Sequence, residues 1–449
     1  MRTHFSKTLL TGFALLSYQS LNAAGFQINE LSPSLQASAL AGAATATDDI
    51  SAMAYNPATL AALQGSEIYA GGSEIIPKIG YNNAKSSIYG NYPATPTPIP
   101  NPGTITSERN ISPSAFVPAV YMGTSLTPQL KIGLGVNAPF GLESNYNSNW
   151  VGQFNATESQ IKTVDILPTV AYQVTPLWAL GASVNFEYIS ATYASNFIGD
   201  QFVTFPWTIE GQGTNSLNGN AWGIGYTVGT TYKITPKTMI GLDYHSPVLE
   251  KINGQAHITG DVTVNGVPAP AFSGAIPGIG FDNGQVNLKL PAIANFGIDQ
   301  QINDKLHLMA GLEWTQWSTI KGIDADIANV GQDNTTLNYH DSWLYSVGAR
   351  YQFRPKWNWL VGLAYDQTPT TSQFRDARIP DTNRKWVTTG LSYTPTKALK
   401  VFATYEHIFM NNQNIDLTQQ PTPAVAAAQV SANYSGSADI LAAGISYKF

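Results

Sequence analysis

The chain has 449 residues, a formal net charge of −6, only 12% charged residues and no cysteine. That balance offers no basic patch for nucleic acid, and the lack of thiols excludes a disulfide framework or a thiolate metal site. Charge at about half the soluble average argues against two or three water-soluble domains. Yet the mean hydropathy is −0.09, and no segment beyond the leader approaches the roughly 20 apolar residues of a spanning helix.

Residues 1–23 read as a signal peptide. Arg2 and Lys7 give the positive region, residues 9–16 the short apolar stretch and Leu21-Asn22-Ala23 the cleavage site. Export by a cleaved leader is therefore expected. Residues 24–65 follow with no β-alternation. They are rich in Ala and Ser, carry only Glu30, Asp48 and Asp49 as charges, and place Pro33 and Pro57 like first-turn helix residues. So apolar a stretch makes a poor periplasmic tail, and it is expected to plug a lumen as a small helical hatch.

From residue 66 to residue 449 the pattern is apolar–polar alternation cut by six short turn signals. These are Thr127-Pro128, Thr175-Pro176, Thr235-Pro236, Asn303-Asp304, Arg354-Pro355 and Pro395-Thr396. After Pro176, Trp178, Leu180, Ala182, Val184, Phe186 and Tyr188 share one face, opposite Ala179, Gly181, Ser183, Asn185 and Glu187. After Asp304 and after Pro355 the same split recurs, with aromatics near the strand ends. Seven hairpin blocks with short turns on one side and long loops on the other predict an all-β membrane protein: a 14-stranded antiparallel transmembrane β-barrel in a bacterial outer membrane. Glycines on the inward face imply a wall against which something packs closely.

The long loops hold the apolar surplus. Residues 81–113 include a Pro-studded run expected to be extended and stiff. One later loop carries Phe197, Phe202, Phe205 and Trp207; another carries Phe272, Ile276 and Phe281. Apolar loops of that size usually mark a binding site, or else pack on each other as a lid. The last strand alternates through Leu441, Ala443, Ile445, Tyr447 and Phe449, and is similar to the segments that barrel-assembly machinery recognises.

At particular residues the chain resembles the FadL family of outer-membrane long-chain fatty-acid and hydrocarbon transporters. Ala24-Gly-Phe-Gln-Ile-Asn-Glu30 is similar to that family's mature start, and Asn56-Pro57-Ala58 matches its hatch motif. Leu217-Asn-Gly-Asn-Ala-Trp-Gly223 and Ile379-Pro-Asp-Thr-Asn-Arg-Lys-Trp386 agree as well. The resemblance spans essentially the whole chain after the leader. It implies fatty-acid capture between the third and fourth extracellular loops, which hold the two apolar clusters. Transfer to a tighter site near the hatch follows, then sideways exit at an inward kink in the third strand. In this chain that strand holds Gly133, Gly135 and Pro139. Passive uptake of neutral aromatic or alkane hydrocarbons is the alternative, and a surface adhesin or receptor is another.

A fatty carboxylate calls for a cation in an apolar pocket. Lys321, Arg375, Arg378, Arg384 and Lys385 are candidates near extracellular strand ends. The resemblance aligns Arg384 with a family arginine and Asp341 with an acidic residue starting the tenth strand, which implies a lumen salt bridge. A family basic residue after the fifth strand has no counterpart, since Ser190, Ala191 and Thr192 occupy that stretch. No Gly-x-Ser-x-Gly elbow, phosphate loop or zinc motif occurs, and His245, His257, His307, His340 and His407 lie in different blocks. A non-enzyme without metal or cofactor is expected. It is expected to act as a monomer whose partners are hydrophobic small molecules, outer-membrane lipid and lipopolysaccharide.

Overall fold

Fourteen antiparallel strands close into a barrel in the computed structural model, which describes residues 25–90, 97–198, 202–204, 207–264, 267–268, 280–328, 331–419 and 427–449. The first seven are β1 (Ser66–Gly90), β2 (Ala115–Ser125), β3 (Leu130–Asn137 and Gly141–Asn145), β4 (Glu158–Thr175), β5 (Trp178–Ile198), β6 (Trp207–Thr235) and β7 (Thr238–His245 and Val248–Val264). The second seven are β8 (Gly280–Leu290 and Ile293–Gln301), β9 (Leu306–Thr315), β10 (Ser342–Arg354), β11 (Trp357–Asp366), β12 (Arg384–Tyr393), β13 (Leu399–Met410) and β14 (Ala427–Lys448). Closure comes from β1 against β14, paired from Glu67↔Lys448 to Tyr89↔Ala427 with one register shift between Asn82 and Lys85. A closed barrel leaves no unpaired edge, so every strand can meet lipid without orphaned backbone groups.

The six predicted turn signals all fall on the short turns, between β2 and β3, β4 and β5, β6 and β7, β8 and β9, β10 and β11, and β12 and β13. Their chemistry repeats. Thr127 Oγ1 accepts the amides of Gln129 and Leu130, Thr175 Oγ1 those of Leu177 and Trp178, and Asn303 Oδ1 those of Lys305 and Leu306. Proline presets the turn backbone while the preceding hydroxyl satisfies its amides.

The predicted faces are also observed. Trp178, Leu180, Val184 and Phe186 point outward and are exposed in the isolated chain, whereas Ala179, Ser183 and Glu187 are buried. The loops differ from expectation in one respect. β1 continues to Gly90, and β5 to β8 extend far beyond the barrel girth as paired strands. Much of the predicted loop sequence is therefore regular ladder.

Residues 25–64 fill the lumen. One α-helical turn, Pro33–Gln36, and three 3-10 turns, Ala43–Thr45, Ile50–Ala54 and Pro57–Ala62, carry buried side chains at every position but Ala62. Both prolines stand at the first positions of their turns, as predicted. The wall glycines make room for this hatch. A Cβ on Gly181 would run into the Pro57 carbonyl carbon, one on Gly229 into Asn56 Oδ1, one on Gly241 into the Ala44 carbonyl and one on Gly362 into Ser38. The signal-peptide expectation falls on residues outside those described.

Candidate functional site: an apolar cavity beside an interrupted strand

The chain enters the lumen along the third strand. β3 breaks at residues 138–140, between Asn137 and Gly141, and there the hatch replaces the missing ladder. Ile28 N donates to the Pro139 carbonyl at 2.8 Å, and Gly141 N donates to the Phe26 carbonyl at 2.8 Å. Gln27 faces Phe140 as an antiparallel bridge. Pro139 has no N–H to contribute, so this is where an uninterrupted ladder is hardest to keep. Thr163 of β4 spans the gap, with its Oγ1 accepting from Phe140 N at 2.9 Å and donating to the Phe140 carbonyl at 2.8 Å.

Gly25 makes the approach possible. Its φ is +60°, and a Cβ there would meet the Trp317 ring, while its amide donates to Asp381 Oδ2 at 3.1 Å. Asp381 belongs to the segment joining β11 to β12, and it also ion-pairs with Arg384 and accepts from Thr368 Oγ1. Its carbonyl accepts from Arg375 Nε at 2.8 Å. One aspartate thus ties the start of the hatch to an extracellular segment.

Above the break lies a narrow apolar cavity of about 80 Å³. Phe26, Leu142 and Ile161 form one side, and Leu217, Ile252 and Leu288 another. Phe26 sits edge-on to Trp317 at 4.9 Å between ring centroids and lies 5.8 Å from Phe140. It is therefore both a wall of the cavity and a backbone partner of the broken strand. Among the described lining residues the single charged side chain is Arg378. Its guanidinium lies 4.1 Å from the centroid of the Tyr193 ring and pairs with Asp376 at 3.0 Å. An apolar lining with one oriented cation at its edge matches, in chemistry, an amphiphile with a hydrocarbon body and an anionic head.

The predicted residues are distributed as follows. Asn56 caps the Pro57–Ala62 turn, its Oδ1 accepting from Ala58 N at 2.9 Å while its Nδ2 donates to the carbonyls of Ala44 and Thr230 at 2.7 and 3.1 Å. The Asn-Pro-Ala motif is therefore a rivet between hatch and wall. Pro139 lies at the break, but Gly133 and Gly135 do not. They sit in the regular part of β3, opposite Gly123 and Tyr121, where Gly133 makes space for Met53 and Leu60 of the hatch.

Arg384 does not pair with Asp341. It is buried against Asp366 at 3.7 Å and against Asp381, both brought to it by the ladder and the adjoining segment. Asp341 instead accepts from Ser318 N at 3.1 Å, capping the short turn Trp317–Thr319. Lys321 and Lys385 are exposed and line no part of the cavity. Phe197, Trp207 and Phe281 belong to β5, β6 and β8, and Phe202 to the short strand Phe202–Thr204. Phe205, Phe272 and Ile276 lie outside the described residues. Sequence reasoning did not single out Phe26, Tyr193 or Trp317 as site residues. Of these only Phe26 carried a signal, as part of the N-terminal motif.

Comparison with known proteins agrees with this architecture. The model of the family described as outer membrane protein transport protein (OMPP1/FadL/TodX) matches residues 14–449. Outer membrane protein P1 of Haemophilus influenzae (strain ATCC 51907 / DSM 11121 / KW20 / Rd) is 28% identical, with 90% of each chain covered. The long-chain fatty acid transport protein of Escherichia coli (strain K12) is 25% identical, over 94% of this chain and 95% of the relative. Among solved structures, a Pseudomonas aeruginosa FadL homologue superposes with a TM-score of 0.82 at 22% identity, covering 95% of this chain and all of the other. The Ralstonia pickettii toluene transporter TbuX gives 0.64 at 21%, covering 94% and 100%. At those identities the two structures speak for the fold alone. With the family model matched across nearly its whole length, the chain belongs to the OMPP1/FadL/TodX family of outer-membrane transport proteins.

Proposed function

We propose that the protein carries long-chain fatty acids passively across the outer membrane. Extracellular segments bearing Phe197, Phe202, Phe205, Trp207, Phe272, Ile276 and Phe281 capture the ligand. The cavity under Arg378 then holds it, and the break in β3 releases it sideways. The observation that carries this reading is the lone arginine in an otherwise uncharged lining. A cation that the ligand can share with Asp376 favours a carboxylate head over a neutral hydrocarbon, which would gain nothing from it.

Lateral release follows from the same chemistry. Each buried CH2 stabilises the ligand in an apolar setting by about 0.8 kcal/mol, so a water-filled pore would hold a long chain back. A hatch that fills the lumen and a strand that breaks beside the cavity suit an exit through the wall. Two relatives carry names that point the same way, as long-chain fatty acid transport proteins of Escherichia coli and Salmonella typhi.

Binding of radiolabelled oleate to the purified protein, with toluene as competitor, tests the reading. Tight oleate binding that toluene displaces only at high excess is expected. Binding of toluene with no measurable oleate affinity would replace fatty acids by aromatic hydrocarbons as the cargo. Loop deletions that abolish cell attachment while sparing oleate uptake would reveal an adhesive role.

A further inference from the structure

Just beneath the cavity a row of carboxyl groups runs around the inner wall. Asp165 of β4 is in register with Asn137, the last residue of β3 before the break, and with Glu187 of β5. Glu187 is in register with Gly223 of β6, and a Cβ on Gly223 would run into Glu250 Oε1 of β7. All three acids are buried, Glu250 with no exposed surface at all. Asp165 Oδ2 accepts from Asn185 Nδ2 at 2.6 Å. Among the described residues, Asp165 Oδ1, Glu187 Oε1 and both oxygens of Glu250 have no hydrogen-bond partner.

The row touches the cavity directly. Glu250 is in register with Leu288, and Ile252, the next inward residue of β7, lines the cavity beside it. No Lys or Arg stands in the row. Asp243 and His245, also on β7, face each other at 3.2 Å. No group of three His, Asp or Glu side chains placed to hold a metal ion is assembled among the described residues. Adjoining buried carboxyls with no Lys or Arg among them are costly to ionise together, which favours retained protons in a row that borders the cavity.

We propose that Asp165, Glu187 and Glu250 form a proton-exchange step between the cavity and the break in β3, so that a fatty carboxylate leaves as the neutral acid. An O–H bond of Glu250 or Glu187 breaks, its proton forms the O–H bond of the ligand acid, and the carboxylate left behind regains a proton from solvent water through the row. The need is physical, because an ionised carboxylate entering hydrocarbon unpaired is prohibitively costly, whereas the neutral acid is not. This step rests on the fatty-acid reading above and specifies which form of the ligand crosses the wall.

Cells lacking their own fatty-acid uptake, expressing wild type, E187Q, E250Q or the double variant, are assayed with radiolabelled oleate and its methyl ester. Oleate binding to the purified proteins is measured alongside. The double variant is expected to lose oleate uptake roughly a hundredfold, the lower end of what a positioned proton donor contributes. Ester uptake and oleate binding should hold. The single variants, each less disruptive to folding, should show intermediate oleate rates with unchanged ester rates. Parallel loss of both ligands, no loss of either, or faster oleate uptake would each overturn the proton step while leaving the transport reading standing. A wild type that neither binds nor takes up either ligand would overturn both.

Discussion

Ile28 of the hatch donates its amide to the carbonyl of Pro139 in the interrupted third strand, at 2.8 Å. Two segments more than a hundred residues apart thereby complete each other's hydrogen bonding at a place where the barrel wall lacks a continuous ladder. An opening of the wall at this point would require the hatch to release these bonds.

Removing that partner should loosen the wall. The substitution Ile28→Pro deletes the donor and is expected to cost about 1 kcal/mol from the bond alone. Faster hydrogen exchange at Gly141 and Thr163, with the exchange of β10 to β12 unchanged, is the outcome to look for.

The hatch should keep the barrel electrically closed. Purified protein in planar bilayers is expected to show no steady pore current, whereas a chain lacking residues 25–64 should conduct. A large steady current from the intact chain would mean that the lumen is open despite the packing of Leu35, Leu40, Met53 and Leu60.

Gly229 has no room for a side chain because Asn56 stands against it. Gly229→Val should therefore unseat the Asn-Pro-Ala turn at an overpacking cost of about 1–3 kcal/mol. Val228→Ala, one residue along on the lipid face, should be close to silent. Thermal unfolding in detergent separates the two.

Arg378→Gln keeps hydrogen-bonding capacity but removes the charge. A hydrogen bond to a charged group contributes about 1.5–3 kcal/mol, so oleate affinity should fall by at least tenfold. Affinity for methyl oleate, titrated in the same way, should barely change.

Glu30 lies in the hatch, where burial raises its carboxyl from 4.5 to about 7, offset in part by nearby backbone amides and Arg384. The folded state therefore holds this proton more tightly than the unfolded chain. Its contribution to stability is fully present below pH 4.5 and is lost as pH rises towards and through about 7. Melting temperature in detergent should decline over that window for wild type and decline less for Glu30→Gln. Equal slopes for the two would assign the dependence to other groups.

The barrel was legible because its signals are local. Thr-Pro and Asn-Asp turns bond within three residues, and alternation from Trp178 to Tyr188 needs only a period of two. Pro33 and Pro57 marked hatch turns for the same reason. Inward glycines even announced a filled lumen, since a missing Cβ is a statement about close neighbours. Longer-range assignments fared differently. Arg384 and Asp341 looked like partners in the chain, but the ladder sets Arg384 beside Asp366, and the bend before β12 brings Asp381 to it. Gly133 and Gly135 looked like kink residues, yet Gly133 makes room for Met53 and Leu60 of the hatch, and Gly135 for Tyr121 and Leu167.

By itself the sequence determined the strand number, the inward and outward faces, the short-turn side and the presence of a plug, because each is written in residues a few positions apart. Only the tertiary structure decided that Phe26 walls a cavity, that Arg378 is the one charge among its described lining residues, and that residues 26–28 stand in for the missing piece of β3. Those facts depend on barrel curvature and register, which bring side chains from distant strands to one point, and no periodicity along a single strand encodes that convergence.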